Sequence, residues 1–145
     1  MRYIYFVCDN DEYWIELDND SYATRQIILS GNVYHFSCIE DCLAEGVIND
    51  KELSDDIVDI SLIEFDKIWN VVLKKYSNAW NKTKEKNKIG DYIIGNLKCY
   101  YPQGAIFTSK DFIINYKGTK NIAIHSDLEM RIIGYDETNM WVITE

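Results

Sequence analysis

The stretch that decides the fold is residues 61–88, SLIEFDKIWNVVLKKYSNAWNKTKEKNK. Ser61 and Glu64 match a capping box, in which each side chain accepts a hydrogen bond from the backbone amide of the other residue. Large apolar side chains then recur at helical spacing along one face. They are Phe65, Ile68, Trp69, Val72, Leu73, Tyr76 and Trp80. These features predict one long amphipathic helix from about residue 62 to about residue 85.

The residues before this helix predict an antiparallel sheet in meander order. Its strands are expected at 2–8, 13–17, 22–29 and 33–37. Ser30-Gly31-Asn32 is a hairpin signal between the last two of them. A second capping box, Ser37 with Glu40, predicts a short helix that ends at Gly46. Residues 57–60 are a candidate fifth strand.

The residues after the long helix predict a small β-barrel. Short strands are expected at 91–100, 104–108, 111–116, 128–135 and 139–144. No helical pattern interrupts them, which is typical of a small barrel. The expected fold class is therefore α+β in three parts that could pack as one unit. These parts are an acidic sheet with a short helix at 1–60, the long helix at 61–88, and an OB-like barrel at 89–145.

Three motifs in the last part are similar to those of one known family. They are Gly90-Asp91-Tyr92-Ile93-Ile94-Gly95, Pro102-Gln103-Gly104-Ala105-Ile106-Phe107, and the stretch from Leu128 to Glu137. Together they resemble the OB-fold RNA-binding repeat of the ribosomal-protein S-one type, which is also found in polynucleotide phosphorylase and ribonuclease E. The resemblance covers residues 89–145, and it implies an OB-like barrel that binds RNA.

Charge is divided along the chain by position. Residues 1–60 contain three basic and 14 acidic side chains, a net charge of −11, whereas 61–88 carry +4 and 89–145 carry −2. Five of the acids lie in one short run. They are Asp50, Glu52, Asp55, Asp56 and Asp59. Such a surface attracts basic partners and repels nucleic acid, although the same acids would also keep an aromatic-rich chain soluble.

The leading hypothesis from this charge is a non-catalytic protein that binds a basic macromolecular partner through its acidic N-terminal part. An immunity protein that inhibits a basic toxin has this profile. The alternative is a module that binds single-stranded RNA. Tyr100, Tyr101, Phe107, Phe112 and Tyr116 could stack on bases, and Lys82, Lys84, Lys86 and Lys88 could neutralise phosphates. The same aromatics could instead fill a barrel, and a pI near 4.7 disfavours nucleic acid.

Metal and catalytic patterns are weak. His35, Cys38 and Cys42 are spaced so that they could meet as metal ligands, with Cys8 as a fourth. However, a CxxC pair is missing, and cysteine is also a common core residue. His125-Ser126-Asp127 are adjacent in sequence, which does not suit a catalytic triad. We therefore expect no cofactor, no metal and no enzymatic activity.

Location is predicted from the cysteines and the N-terminus. The opening MRYIYFVCDND is typical of a strand and not of a signal peptide. Four cysteines without such a signal indicate reduced thiols in a cytoplasm. The apolar runs are shorter than the roughly 18 residues that a membrane span needs, so no membrane contact is expected. Richness in Asn, Lys and Ile fits a small bacterial protein.

Overall fold

The computed structural model of the protein describes residues 1–53 and 55–145. It confirms the α+β class, with an antiparallel sheet, a long helix and a five-stranded barrel. The chain divides into two compact units, Met1–Lys74 and Lys75–Glu145. The boundary between the units falls within the long helix, and each unit is described separately below.

The N-terminal unit is built on an antiparallel sheet of five strands in the order β4-β3-β2-β1-β5. Its elements are β1 (Arg2–Cys8), β2 (Asp11–Leu17), β3 (Ala23–Ser30), β4 (Val33–Phe36), the short helix α1 (Asp50–Leu53) and β5 (Val58–Ile60). Turns rich in Asp, Asn and Gly join the first four strands, as the sequence predicts. The candidate strand at 57–60 is confirmed as β5, which pairs with β1.

Cross-strand pairing divides the strand residues between two faces of the sheet. One face carries Tyr3, Tyr5, Trp14, Glu16, Arg25, Ile27, Phe36 and Ile60. The first part of the long helix α2 (Leu62–Lys86) packs on this face, through Phe65 and Trp69. The rings of Tyr3 and Phe65 are 5.4 Å apart between centroids. Because the predicted apolar stripe supplies this contact, the amphipathic pattern of the helix sets the layer order of the unit.

The helix begins as its sequence predicts. Ser61 N donates to Glu64 Oε2 at 2.9 Å, and Glu64 N donates to Ser61 Oγ at 3.1 Å. This reciprocal pair satisfies two amides at a helix end, which have no partner within the helix. The capping box therefore fixes where α2 starts, one residue after β5.

The prediction of a short helix from Ser37 to Gly46 is wrong, because these residues form turns and irregular structure. Ser37 Oγ accepts from the backbone amide of Gln26 at 3.0 Å, so this hydroxyl does not cap a helix. The Glu40 carboxylate contacts His35 Nδ1 at 2.7 Å. Both members of the apparent capping box are thus used by the sheet and its adjoining turn.

Residues 37–49 instead form an irregular segment over the second face of the sheet. The Gln26 side chain lies on that face and accepts from the amide of Ala44 at 2.8 Å. Cys38 and Leu43 of the segment are buried. Both the Gln26 side chain and backbone groups, such as the Ser21 carbonyl that accepts from Ile48 N, therefore hold the segment.

The C-terminal unit contains the small barrel expected for residues 89–145, and the structure shows that this barrel is closed. Its strands are β6 (Tyr92–Tyr101), β7 (Gly104–Thr108), β8 (Ile113–Tyr116), β9 (Asp127–Asp136) and β10 (Trp141–Thr144). They follow the order β10-β8-β7-β6-β9 and close through β9 and β10, and β10 runs parallel to β8. Buried apolar side chains fill the interior. They include Leu97, Phe107, Ile114, Met130, Ile132 and Val142.

The end of α2 is anchored to the barrel within the same unit. Trp80 Nε1 donates to Glu137 Oε2 at 2.6 Å, and Lys84 Nζ donates to Glu137 Oε1 at 2.8 Å. The Trp80 and Tyr135 rings meet edge to face at 5.9 Å. Tyr135 Oη also donates to the Asn87 carbonyl at 2.6 Å. These contacts fix the last turns of the helix against β9.

Across residues 1–53 and 55–145, no helix combines the length and the apolar character that a membrane crossing requires.

Candidate partner-binding site

The two compact units differ in net charge. Residues 1–74 carry a net charge of −11, and residues 75–145 carry +2. The acidic character of the protein therefore belongs to the sheet unit alone. This separation gives each unit a different electrostatic preference for partners.

The predicted acidic residues lie on one segment that ends in the edge strand. Asp50 and Glu52 are on α1, and Asp59 is on β5. Arg2 contacts both Asp50 and Asp59 at 2.7 Å, so two of the five acids share one positive charge. Glu52, Asp55 and Asp56 are exposed.

A groove of about 610 Å³ opens between the sheet and α2 in the N-terminal unit. Aromatic side chains from three strands form its wall. They are Tyr5, Trp14, Tyr34 and Phe36. Ile60, Ile68 and Val71 complete the apolar lining, and Glu12, Glu64 and Lys67 add charge. Pockets with apolar walls and a few polar groups are the usual form of binding sites.

The aromatic wall is continuous from strand to strand. Ring centroids of Tyr5 and Trp14 are 5.2 Å apart, those of Trp14 and Tyr34 are 6.3 Å apart, and those of Tyr34 and Phe36 are 5.9 Å apart. These separations are typical of interacting aromatic pairs. Tyr34 is 46% exposed, so part of the wall faces solvent.

Glu12 is held at the groove by Tyr5. The Tyr5 hydroxyl donates to Glu12 Oε1 at 2.7 Å. This hydrogen bond, together with burial, raises the pKa of Tyr5 above its ordinary value. The phenol therefore stays a neutral donor, and it orients the carboxylate beside the aromatic rings.

A buried ionic network lies deeper on the same face of the sheet. Arg25 donates to Glu16 Oε2 at 2.5 Å and to Asp66 Oδ1 at 3.0 Å. Its guanidinium carbon lies 4.7 Å from the Phe65 ring centroid and 5.1 Å from that of Trp69. Burial opposes ionisation of Glu16, yet hydrogen bonds from Arg25 hold its pKa below its ordinary value. This network joins β2, β3 and α2.

The aromatics proposed for RNA differ in exposure. Tyr100 is 51% exposed, and its hydroxyl donates to the Ile122 carbonyl at 2.6 Å. Tyr101 and Phe112 are half-buried. Phe107 is completely buried, and Tyr116 packs edge to face against it at 5.8 Å. Phe107 and Tyr116 thus fill the barrel and present no free ring face to a base.

The lysines at the end of α2 also divide into two kinds. Lys82 and Lys86 are exposed, as is Lys88. Lys84 is held by Glu137 and lies 5.4 Å from the centroid of the Trp80 ring. Three of the four lysines named for phosphate contact are therefore accessible, and the fourth, Lys84, anchors the helix.

The candidate metal ligands are not brought together. Cys38 is buried, and burial raises its pKa, and that of Cys42, to about 12. His35 contacts Glu40 instead. In the part of the chain that the structure describes, no group of three or more His, Cys, Asp and Glu side chains is placed to hold a metal ion.

Sequence reasoning identified the acidic run but missed the groove. The available signal was the recurrence of aromatic residues at alternate positions, Tyr3 with Tyr5 and Tyr34 with Phe36.

No protein-family profile matches the chain, and a search of curated proteins finds no significant match.

Proposed function

We propose that this protein is a non-catalytic binding protein that recognises a basic macromolecular partner through its N-terminal unit. The observation that carries the proposal is the net charge of −11 on residues 1–74, against +2 on residues 75–145. Charge needed only for solubility would have no reason to collect on one unit. A concentrated field of this sign speeds encounter with a cationic partner and disfavours nucleic acid.

The exposed acids Glu52, Asp55 and Asp56 are the proposed first contacts. Asp50 and Asp59 share the single positive charge of Arg2. An immunity protein that neutralises a basic toxin in the bacterial cytoplasm is the proposed class. The four cysteines form no disulfide, which is compatible with a reducing compartment.

The test is recovery of partners from the native host with the full chain immobilised. The test variant combines Glu52→Gln, Asp55→Asn and Asp56→Asn. The control variant removes three exposed acids of the C-terminal unit through Glu85→Gln, Asp111→Asn and Glu129→Gln. We expect a basic protein that binds the wild type and the control, and whose recovery falls for the test variant and at high salt. Equal recovery by both variants would contradict the proposal.

RNA binding by the C-terminal unit is the second candidate. The observation that favours it is the exposure of Tyr92 and Tyr100 on β6, in a unit that carries +2. Ile106 and Asn115 point outward from β7 and β8, yet both are buried. OB-folds usually bind nucleic acid through the face of their second and third strands, which correspond here to β7 and β8. Since Ile106 and Asn115 on that face are buried, we propose that RNA instead contacts β6 together with Lys82 and Lys86.

Titration with single-stranded RNA over a salt series tests this second function. Binding that weakens steeply with salt, and that is reduced by Tyr100→Leu and Lys82→Gln, would support it. No binding at low salt would eliminate it.

A further inference from the structure

We infer that the groove between the sheet and α2 receives an arginine side chain of the basic partner. The inference rests on the proposed function and deepens it by naming the group that is recognised. It concerns the aromatic wall of Tyr5, Trp14 and Tyr34 with the carboxylate of Glu12.

The same layer of the protein already holds one guanidinium in this way. Arg25 lies between sheet and helix, against the rings of Phe65 and Trp69 and between the carboxylates of Glu16 and Asp66. The arginine stacks on aromatic faces while its planar donors are shared between two acids. The aromatic rings and carboxylates between the sheet and the helix are thus suited to binding a guanidinium group.

The groove repeats that composition with open space in place of the arginine. Glu12 and Trp14 lie on the same strand and the same face as Glu16. Along β2, Glu12 is four positions and Trp14 is two positions before Glu16. Glu64 stands across from them on the helix. The arginines of the chain are Arg2, Arg25 and Arg131, and none of them lines the groove. A guanidinium from outside would therefore meet rings and carboxylates in the pattern that surrounds Arg25.

Charge complementarity favours an arginine over an apolar or acidic occupant. Glu12 and Glu64 outnumber Lys67 among the groove residues, and the whole unit carries −11. An apolar side chain would leave the Glu12 carboxylate facing carbon, at a desolvation cost. Lysine would also satisfy the charge, but its compact ammonium lacks the planar surface that stacks on Trp14 and Tyr34.

The test measures binding of a labelled oligo-arginine peptide to the full chain by fluorescence anisotropy, with oligo-lysine of equal length for comparison. Tyr34→Leu removes one exposed ring and keeps an apolar side chain. We expect it to weaken oligo-arginine about 3- to 30-fold and to affect oligo-lysine less. Equal losses for the two peptides would overturn the stacking argument.

A second pair of variants adds charge without removing any packing. Val71 lines the groove and is 63% exposed, whereas its neighbour Asn70 is exposed and does not line it. Val71→Lys should weaken oligo-arginine about tenfold or more, and Asn70→Lys should have a small effect. Equal effects of the two substitutions would show that only net charge matters, and would overturn the inference.

Two further results separate this inference from the proposed function. If oligo-arginine binding depends on Glu52, Asp55 and Asp56 but not on Tyr34 or Val71, the function stands and the groove does not. N-acetylarginine amide, followed by NMR at the Trp14 indole, tests the groove without a macromolecular partner. Perturbation of that signal with no peptide binding would keep the groove and remove the function. An unperturbed signal would overturn the inference.

Discussion

Arg25 on β3 and Glu16 on β2 form a cross-strand ion pair at 2.5 Å, and both residues are only 6% exposed. The pair lies directly opposite in the register of the two strands. Asp66 of α2 takes a second contact from the same guanidinium. A buried charge of this kind is tolerated only while its partner is present.

Replacing Arg25 with Met should therefore destabilise the N-terminal unit strongly. The methionine keeps much of the volume against Phe65 and Trp69 but leaves the Glu16 carboxylate buried without its partner. We expect a loss of about 3–5 kcal/mol in the free energy of unfolding, measured by urea denaturation. Arg2→Gln is the control, because the ion pairs of Arg2 are exposed and are worth about 0–1 kcal/mol. Equal losses for the two variants would contradict the role of the buried pair.

The depressed pKa of Glu16 gives a prediction for pH. A carboxyl whose folded pKa is lowered stabilises the fold above its ordinary pKa of 4.5, and that stability is lost as the pH falls through the folded value. At about pH 7, Glu16→Gln should cost about 1.5–3 kcal/mol, because the hydrogen bonds to a charged group are lost. The difference between variant and wild type should shrink as the pH falls below 4.5. Urea denaturation across pH measures it, and a difference that is constant with pH would disprove the ionised form.

The start of α2 can be tested through its capping box. Ser61→Ala removes the hydroxyl that accepts from Glu64 N, so one amide of the first turn loses its partner. The expected loss is about 1 kcal/mol in the free energy of unfolding. Asn70→Ala is the control, because alanine favours the helix interior and Asn70 is exposed. A Ser61 variant as stable as the Asn70 variant would show that the cap is not needed.

The helix and strands could be predicted because their signals are local. The capping box of Ser61 and the stripe from Phe65 to Trp80 are complete within the helix itself. The same reasoning failed at Ser37 and Glu40, whose pattern is equally good. There the competing partners, Gln26 and His35, come from neighbouring strands, and a local pattern does not contain them.

The groove could not be predicted for a related reason. Its wall exists only because the registers of three strand pairs bring Tyr5, Trp14 and Tyr34 to one face. The acidic run could be recognised from composition, but its partial neutralisation by Arg2 could not. Arg2 lies far from Asp50 and Asp59 in sequence, and the pairing of β1 with β5 brings it to Asp59. Register, and not residue type, decides both features.

The turn between β6 and β7 gives a prediction for the barrel. Gly104 has φ of +149°, a conformation that other residues rarely adopt, and an added Cβ would meet the side-chain oxygen of Asn115. That oxygen is buried and accepts no hydrogen bond. Because backbone strain and a steric clash act together, Gly104→Ala should cost at least about 1–3 kcal/mol.

Gly134 on β9 is the matched control for this substitution. A Cβ there meets no atom within 4 Å, and the φ of Gly134 is not positive. Gly134→Ala should be neutral or stabilise the barrel by up to about 1 kcal/mol, because alanine loses less backbone entropy on folding. Amide hydrogen exchange in residues 89–145 measures both variants within the same unit. Of the two glycines, only Gly104 combines a positive φ with a blocked Cβ position. If both nevertheless tolerate alanine equally, the packing of Gly104 against Asn115 does not constrain the turn.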